Sequence, residues 1–331
     1  MKLTQQQLDQ YETDGYVVVR GFLDPEKHIQ PVLNEYEEVL DALARSLYAQ
    51  GKIESLHKDL PFEERLVNVY ADSGEAHGQW FDFSLPQKDI REDTPFWFGP
   101  EVFRLLNLPA LLDVAEQFVG PEIYSTPVQH IRIKPPQRAL PDTVDNRVIE
   151  TPWHQDNGVL LENADETNML TVWFPLTPAT EEMGWLKIRP GSHKGELSHH
   201  CITWNGLGIP DARLTGEDEV TLPMMPGDVL FMHRLTTHGS LPNVRDRVRI
   251  SYDLRYQPTG TATGREVFPG FVARSKANPE SVLTDPVEWN RMWEEVRHKL
   301  ATDGHGPFNR WTEGDPACAC VRGGHVILNR R

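Results

Sequence analysis

Three shortages narrow the field before any motif is read. The 331-residue chain has only three cysteines, Cys201, Cys318 and Cys320. They are too few for a disulfide framework and suit a reducing compartment. Cys318 and Cys320 could form half of a metal site. No second Cys or His pair lies at finger spacing, so they read as an ordinary tail. No apolar run approaches the roughly 18 residues that span a bilayer. Positive charge is also scarce: 33 Lys and Arg stand against 49 Asp and Glu, a net charge of −16 with His neutral. A general nucleic-acid binder needs a basic surface to displace counterions, and an anionic membrane surface also attracts one. The balance argues against both but says little about a small-molecule pocket, since a few buried Arg and Lys can recruit an acidic ligand inside an acidic shell. The polar opening MKLTQQQLDQYETDG reads as a helix rather than a secretory leader, so the expected location is cytoplasmic. Oligomeric state is left open.

What is present divides into helical and β-like parts. Thr4 and Gln7 have capping-box spacing, and Asp14-Gly15 stops the first helix. Tyr16–Val19 reads as a strand. Val32, Leu33, Tyr36, Val39, Leu40, Leu43 and Leu47 recur at the spacing of an amphipathic helix. Residues 50–98 are irregular and aromatic-rich, and read as satellite core; residues 101–119 read as one helix. From 121 to 258 short β-like runs alternate with Pro and Gly, which suggests a sandwich or barrel. The runs are Ile123–Lys134, Met169–Leu176, Trp185–Ile188, Val220–Leu222, Val229–Met232 and Val248–Tyr256. A last helix covers Pro286–Leu300, and the tail after Ala301 reads as peripheral. Length alone suggests two domains at roughly 150 residues each. No linker separates two cores, so residues 1–331 read as a single domain. Helical wrapping (1–120) precedes a β core (121–258), and a helix and tail follow (259–331).

One segment carries metal chemistry. In Trp153-His154-Gln155-Asp156-Asn157, His154 and Asp156 lie two apart, so both face one side from the end of a strand. His238 follows Asp156 by 82 residues. Two His and one carboxylate on a β frame make the facial triad of a non-haem Fe(II) oxygenase, with positions left open for a cosubstrate and O2. His233 competes as the distal ligand, but the residue 11 beyond it is Val244, which cannot anchor a carboxylate. The residue 11 beyond His238 is Arg249. An Arg there can pair with a dicarboxylate through two parallel hydrogen bonds. Arg247 shares its strand face but lies at the frayed start. His130, Arg132 and Lys134 also share a face, and such cations are costly inside a barrel unless they meet anions or water. If that face looks inward, Arg132 is a candidate for substrate or cosubstrate.

With these residues in view, the chain resembles the phytanoyl-CoA dioxygenase family of Fe(II)/2-oxoglutarate-dependent oxygenases over about residues 5–258. The resemblance is carried by Tyr11–Leu23, Trp153-His154-Gln155-Asp156, Arg189-Pro190-Gly191-Ser192-His193, Pro226-Gly227-Asp228 and His238-Gly239-Ser240. It implies a mainly β fold with flanking helices, a double-stranded β-helix (jelly-roll, cupin-like) barrel. It implies that His154, Asp156 and His238 bind Fe(II), and that Arg249 and Ser240 hold the C5 carboxylate of 2-oxoglutarate. Lys134 and Trp173 would lie near that cosubstrate. His193 matches a turn residue of the pattern. Asp156 fills the position that a small residue occupies in related halogenases, so oxygenation of a C–H bond is expected, most simply hydroxylation. 2-Oxoglutarate and O2 would be converted to succinate and CO2.

Residues 70–98, Trp153, Asn157 and the 192–217 insertion are expected to line the substrate site, with the insertion as a lid. Arg132 hints at a polar or anionic substrate. An acyl-CoA would want an external basic patch, and none stands out. Two other classes remain open: a cupin-type metalloenzyme that does not use 2-oxoglutarate, such as an isomerase or hydrolase, and a non-catalytic binding module.

Overall fold

The computed structural model describes residues 2–141, 150–203, 206–214, 218–312 and 315–318. The first helix, Gln5–Asp14, has the capping box in place: Thr4 accepts from the Gln7 N–H, and Gln7 reaches back to the Thr4 N–H. Gly15 ends it at φ 83°, and a Cβ there would sit 2.4 Å from the His193 ring.

The architecture is mixed: α-helices and two large antiparallel sheets. One sheet has seven strands. In spatial order six of them are Tyr16–Val19, Val229–His233, Leu170–Pro175, Arg249–Pro258, Ile123–Ser125 and Phe271–Arg274. His130–Lys134 also pairs with Arg249–Pro258, whose ten residues are long enough to share one edge between two short strands. The second sheet has four strands, in the order Thr151–His154, His238–Ser240, Leu186–Ile188 and Val220–Leu222. A small hairpin joins Cys201–Thr203 to Gly206–Gly208.

Alternation along the strands decides what each face meets. In Arg249–Pro258, Ile250, Tyr252, Leu254 and Tyr256 enter a core shared with the helices. Arg249, Ser251, Asp253 and Arg255 take the opposite face. The same parity sends Val172 and Phe174 to the helical side, and Thr171 and Trp173 to the other. Between the sheets Trp173, Leu230 and Met232 pack against Leu186, Ile188, Leu222 and Met224. Two apolar layers therefore exist, with the seven-stranded sheet between them.

Several sequence readings need correction. The helix expected over 101–119 is two helices, Pro100–Leu106 and Pro109–Val119. Leu108 precedes Pro109, and a residue before proline avoids the helical region; it sits at ψ 119°. Residues 50–98 hold a helix, Phe62–Ser73, whose Leu66, Val69 and Tyr70 are buried. Phe81 and Phe83 belong to the main core rather than to a satellite. Strands His238–Ser240 and Phe271–Arg274 were not foreseen, because three or four residues carry too little periodicity. The C-terminal helix runs over Pro286–Asp303, and its Trp289 and Trp293 rings lie 4.7 and 5.0 Å from Phe98. Replacing either Trp by Ala should cost about 3–5 kcal/mol.

The tail is not peripheral. Trp311 and Arg310 pack onto the 157–160 turn, and Cys318 is disulfide-bonded to Cys201. Two of the three cysteines are thus cross-linked rather than separate thiols; Cys320 lies outside the described residues. No helix among the described residues is long and apolar enough to cross a membrane.

Candidate active site

His154 and His238 are direct partners across adjacent strands of the four-stranded sheet. That register brings their rings to 4.1 Å, centroid to centroid. His154 Nδ1 lies 2.9 Å from the Pro152 carbonyl oxygen, and His238 Nδ1 lies 3.0 Å from that of Thr236. A carbonyl only accepts, so both Nδ1 atoms carry the proton and both Nε2 atoms present a lone pair. Burial, then the neighbouring His238, pushes the His154 pKa well down, which keeps that ring neutral.

The strand ends at His154, but Gln155 stays extended at φ −112°, ψ 138°, so Asp156 still shares the His154 side. Asp156 then opens a 3-10 turn over Asp156–Val159. Gln155 fixes this change of direction. Its side chain accepts from the Ser198 N–H at 2.7 Å and donates to the Leu235 carbonyl at 2.8 Å. The donor atoms of His154, Asp156 and His238 all lie within 4.8 Å of one another.

Each oxygen of the Asp156 carboxylate accepts one protein donor and keeps a further lone pair. Thr171 Oγ1 donates to Oδ2, and Arg255 Nη2 donates to Oδ1 at 2.5 Å. Burial alone would raise its pKa. Arg255, with the Thr171 hydrogen bond, outweighs that and holds it below the usual carboxylate range. Sequence reading missed Thr171 and Arg255. The signal was the alternation of Arg249, Ser251, Asp253 and Arg255, four polar residues on one strand face.

Two residues along the strand from His238, Ser240 Oγ accepts from Lys134 Nζ at 2.6 Å. Lys134 also donates to the Leu241 carbonyl at 2.9 Å and is the register partner of Arg249. Arg249 is 1% exposed, donates to Ser251 Oγ at 2.6 Å, and holds its guanidinium 5.7 Å from the Trp173 ring centre. Its Nε–H has no hydrogen-bond partner among the described residues. Burial, then Arg132, lowers its pKa, and burial, then Arg249, lowers that of Lys134. Both shifts mark a place where an anion would be welcome.

Part of this set opens onto one cavity with an empty volume of about 420 Å³, part of it open to solvent, and Asp156, Arg255 and Lys134 lie behind its wall. His154, His238, Ser240, Arg249, Trp173 and Arg132 are on its wall. Arg132 stands at the open end, half exposed and 3.4 Å from Asp253. The shared face of His130, Arg132 and Lys134 is graded: Lys134 is buried, Arg132 is at the mouth, and His130 pairs with Asp82 at 2.9 Å.

Other expected residues lie elsewhere. Trp153 faces away from His154 and meets Lys187, whose Nζ is 4.6 Å from its ring centre. Asn157 is buried and donates to Asp165 at 2.9 Å. None of residues 70–98 is on the cavity wall. The insertion after Ser192 lays its hairpin along Thr151–His154, with the Ile209 N–H on the Trp153 carbonyl, and residues 204–205 and 215–217 are outside the described set. His233 packs between Tyr11 and His193 instead of joining the donors. Arg247 is exposed and paired with Glu63. His199, Cys201 and Cys318 also bring donor atoms within 4.8 Å, but their two sulfurs are bonded to each other.

Comparison with known proteins gives the family. The family model described as phytanoyl-CoA dioxygenase (PhyH) matches residues 11–251. The 1-deoxypentalenic acid 11-beta-hydroxylase of Streptomyces arenae is 35% identical over 266 residues, 77% of this chain and 81% of that one. The human peroxisomal phytanoyl-CoA dioxygenase is 27% identical over 248 residues, 73% of this chain and 64% of that one. Among solved structures, the apo form of the non-heme monooxygenase ThoJ superposes with a TM-score of 0.56 at 18% identity, over 89% of this chain and 97% of that one. This chain therefore belongs to the phytanoyl-CoA dioxygenase (PhyH) family and is a non-haem Fe/2-oxoglutarate-dependent oxygenase.

Proposed function

We propose that His154, Asp156 and His238 hold Fe(II), and that 2-oxoglutarate lies along the cavity with its C5 carboxylate on Arg249 and Ser240. One observation carries this reading: His154 and His238 share one cavity wall with the buried Arg249 and with Ser240, while Asp156 lies within 4.8 Å of both His donor atoms and Lys134 stands behind Ser240. The rise of two strand residues from His238 to Ser240 is about 6–7 Å. That span suits a five-carbon dicarboxylate whose other end chelates the metal. The donor set fits the ion, since two neutral imidazoles and one carboxylate are the ligands such a site uses.

Bound there, Fe(II) supplies the redox chemistry that couples O2 and 2-oxoglutarate to oxidation of a substrate C–H bond, with succinate and CO2 as coproducts. The chain's own groups do the positioning. The Pro152 and Thr236 carbonyls hold the two Nε2 atoms on target. Thr171 and Arg255 fix the carboxylate. Arg249 donates to one end of the cosubstrate, Lys134 adds positive charge behind Ser240, and Trp173 flanks them. Arg132 at the mouth favours a polar or anionic small molecule. The Streptomyces arenae relative is named for hydroxylation of an acid, which supports the same class. Trp153 and Asn157 lie behind the wall and would act on substrate only through it. The two facing sheets are read as a double-stranded β-helix, and the chain as one domain.

The test is anaerobic addition of Fe(II) and 2-oxoglutarate. Wild type should develop the weak visible band of a chelated non-haem iron site near ~500 nm. His238→Ala should lose it, and Arg249→Ala should need far more 2-oxoglutarate. Folded wild-type protein that gives no band would overturn the reading.

A further inference from the structure

The turn that carries Asp156 has an unusual arrangement of carbonyls. Four in succession, from Asn157 to Leu160, accept hydrogen bonds from side chains. Asn157 O accepts from Arg310 Nη2 at 3.4 Å, and Gly158 O accepts from Trp311 Nε1 at 2.5 Å. Val159 O accepts from Arg265 Nη2 at 2.9 Å, and Leu160 O accepts from Arg310 Nε at 2.9 Å. Three of the four donors come from two adjacent residues near the C-terminus. Inside the turn the Asn157 carbonyl also accepts from the Leu160 N–H at 3.4 Å, and each buried carbonyl left without a partner costs about 1–3 kcal/mol. Arg310 also closes a second link. Its Nη1 and Nη2 reach Asp165 at 2.8 and 2.6 Å, and Asp165 in turn accepts from the Asn157 side chain.

The segment is held down from behind. Trp311 stacks on His200 at 5.5 Å and 22°. His200 covers Gly158 so closely that a Cβ there would lie 2.1 Å from its ring. Its Nε2 accepts the Gln155 N–H at 3.0 Å, on the residue between the two metal donors. Cys201, next in sequence, is bonded to Cys318, and Arg213 donates to the Ala317 carbonyl at 2.8 Å.

The geometry points to Arg310 and Trp311 as positioning residues for the metal-binding turn, with the Cys201–Cys318 bond as the anchor of their segment. They touch neither metal nor cosubstrate. They act by fixing the backbone on which one of three donors is mounted. This inference rests on the reading of His154, Asp156 and His238 as the donors.

Anaerobic titration with Co(II), followed by its visible absorption, tests it without any turnover. Arg310→Ala and Trp311→Phe should each weaken Co(II) binding by about tenfold, the usual effect of losing a group that orients a ligand, and should alter the Co(II) spectrum. Cys318→Ser should weaken binding in the same direction. Trp311→Phe keeps the ring on His200 and removes one hydrogen bond, so it serves if Arg310→Ala does not fold. Metal-loaded variants should bind 2-oxoglutarate as wild type does, since Arg249, Lys134 and Ser240 are untouched. Variants that bind Co(II) like wild type, or that only melt earlier as apoprotein, would overturn the inference alone. Wild type that binds no Co(II) would instead overturn the donor reading beneath it.

Discussion

Arg255 donates to Asp156 at 2.5 Å, and neither side chain is more than 2% exposed. The buried carboxylate thus has a cation beside it, and Asp253 accepts from the same guanidinium at 3.1 Å. Removing Arg255 would leave the Asp156 carboxylate buried without its cation, while Asp253 keeps Arg132 at 3.4 Å. Arg255→Ala should therefore destabilise the apoprotein by about 3–5 kcal/mol, as breaking a buried pair generally does. A divalent cation supplies the missing charge, so added metal should stabilise the variant more than it stabilises wild type. Urea melts with and without Co(II) measure both, and an apo midpoint equal to wild type would refute the expectation.

Arg249 faces the cavity without a carboxylate partner among the described residues. A charged hydrogen bond to cosubstrate is worth about 1.5–3 kcal/mol, so Arg249→Ala should weaken 2-oxoglutarate binding by about 10- to 100-fold. Arg249→Lys should recover only part, because an ammonium cannot form the two parallel bonds. Anaerobic titration of Fe(II)-loaded protein with 2-oxoglutarate reads the change. An unchanged affinity would favour a metalloenzyme that does not use this cosubstrate.

His200 gives a pH dependence of defined sign. Burial pushes its pKa down to about 4, and it is neutral as the acceptor for Gln155. Unfolded, its pKa is about 6.5. Between these values the unfolded chain binds the extra proton, so stability is complete above the upper value and falls as pH drops toward the lower one. The slope from this group is at most about 1.4 kcal/mol per pH unit. His200→Gln should remove that share, visible as a flatter dependence of apoprotein urea midpoints from neutral pH to about 5. A slope as steep as that of wild type would count against it.

Gly239 sits between His238 and Ser240, and a Cβ there would lie 2.8 Å from the Thr151 carbonyl oxygen. That atom is backbone of the strand ending in His154, so it cannot swing aside. Gly239→Ala should cost about 1–3 kcal/mol and separate the two His-bearing strands. Thermal melts and Co(II) titration should both show the loss, and tight metal binding by the variant would contradict it.

Much of the site could be read in one dimension because its spacing is local. The alternation of His154 and Asp156 depends only on an extended Gln155. The interval from His238 to Arg249 mattered because it put an arginine, and not Val244, at the matching distance. Strand parity separated Arg249 from its apolar neighbours, and fraying set Arg247 apart as exposed. Short strands such as His238–Ser240 were harder, since their pairing partners rather than their own residues hold them extended. The break at Leu108 was visible in Pro109 and was passed over because apolar residues continue on both sides.

What the sequence determined by itself was the residue types of the candidate site, their order and the periodicities that place them on faces. Those properties follow from covalent geometry and residue chemistry within a few positions. Tertiary structure alone decided which cation lies beside Asp156, which carbonyls receive Arg310 and Trp311, and that Cys201 meets Cys318. Arg255 is 99 residues from Asp156 and Arg310 is 153 from Asn157. Cys201 and Cys318 are 117 apart. No local propensity encodes such contacts, because they form only once the sheets and the C-terminal helix have packed. The tail that looked peripheral shows this most plainly. Its composition is that of a loop, and its role is set by the carbonyls it reaches.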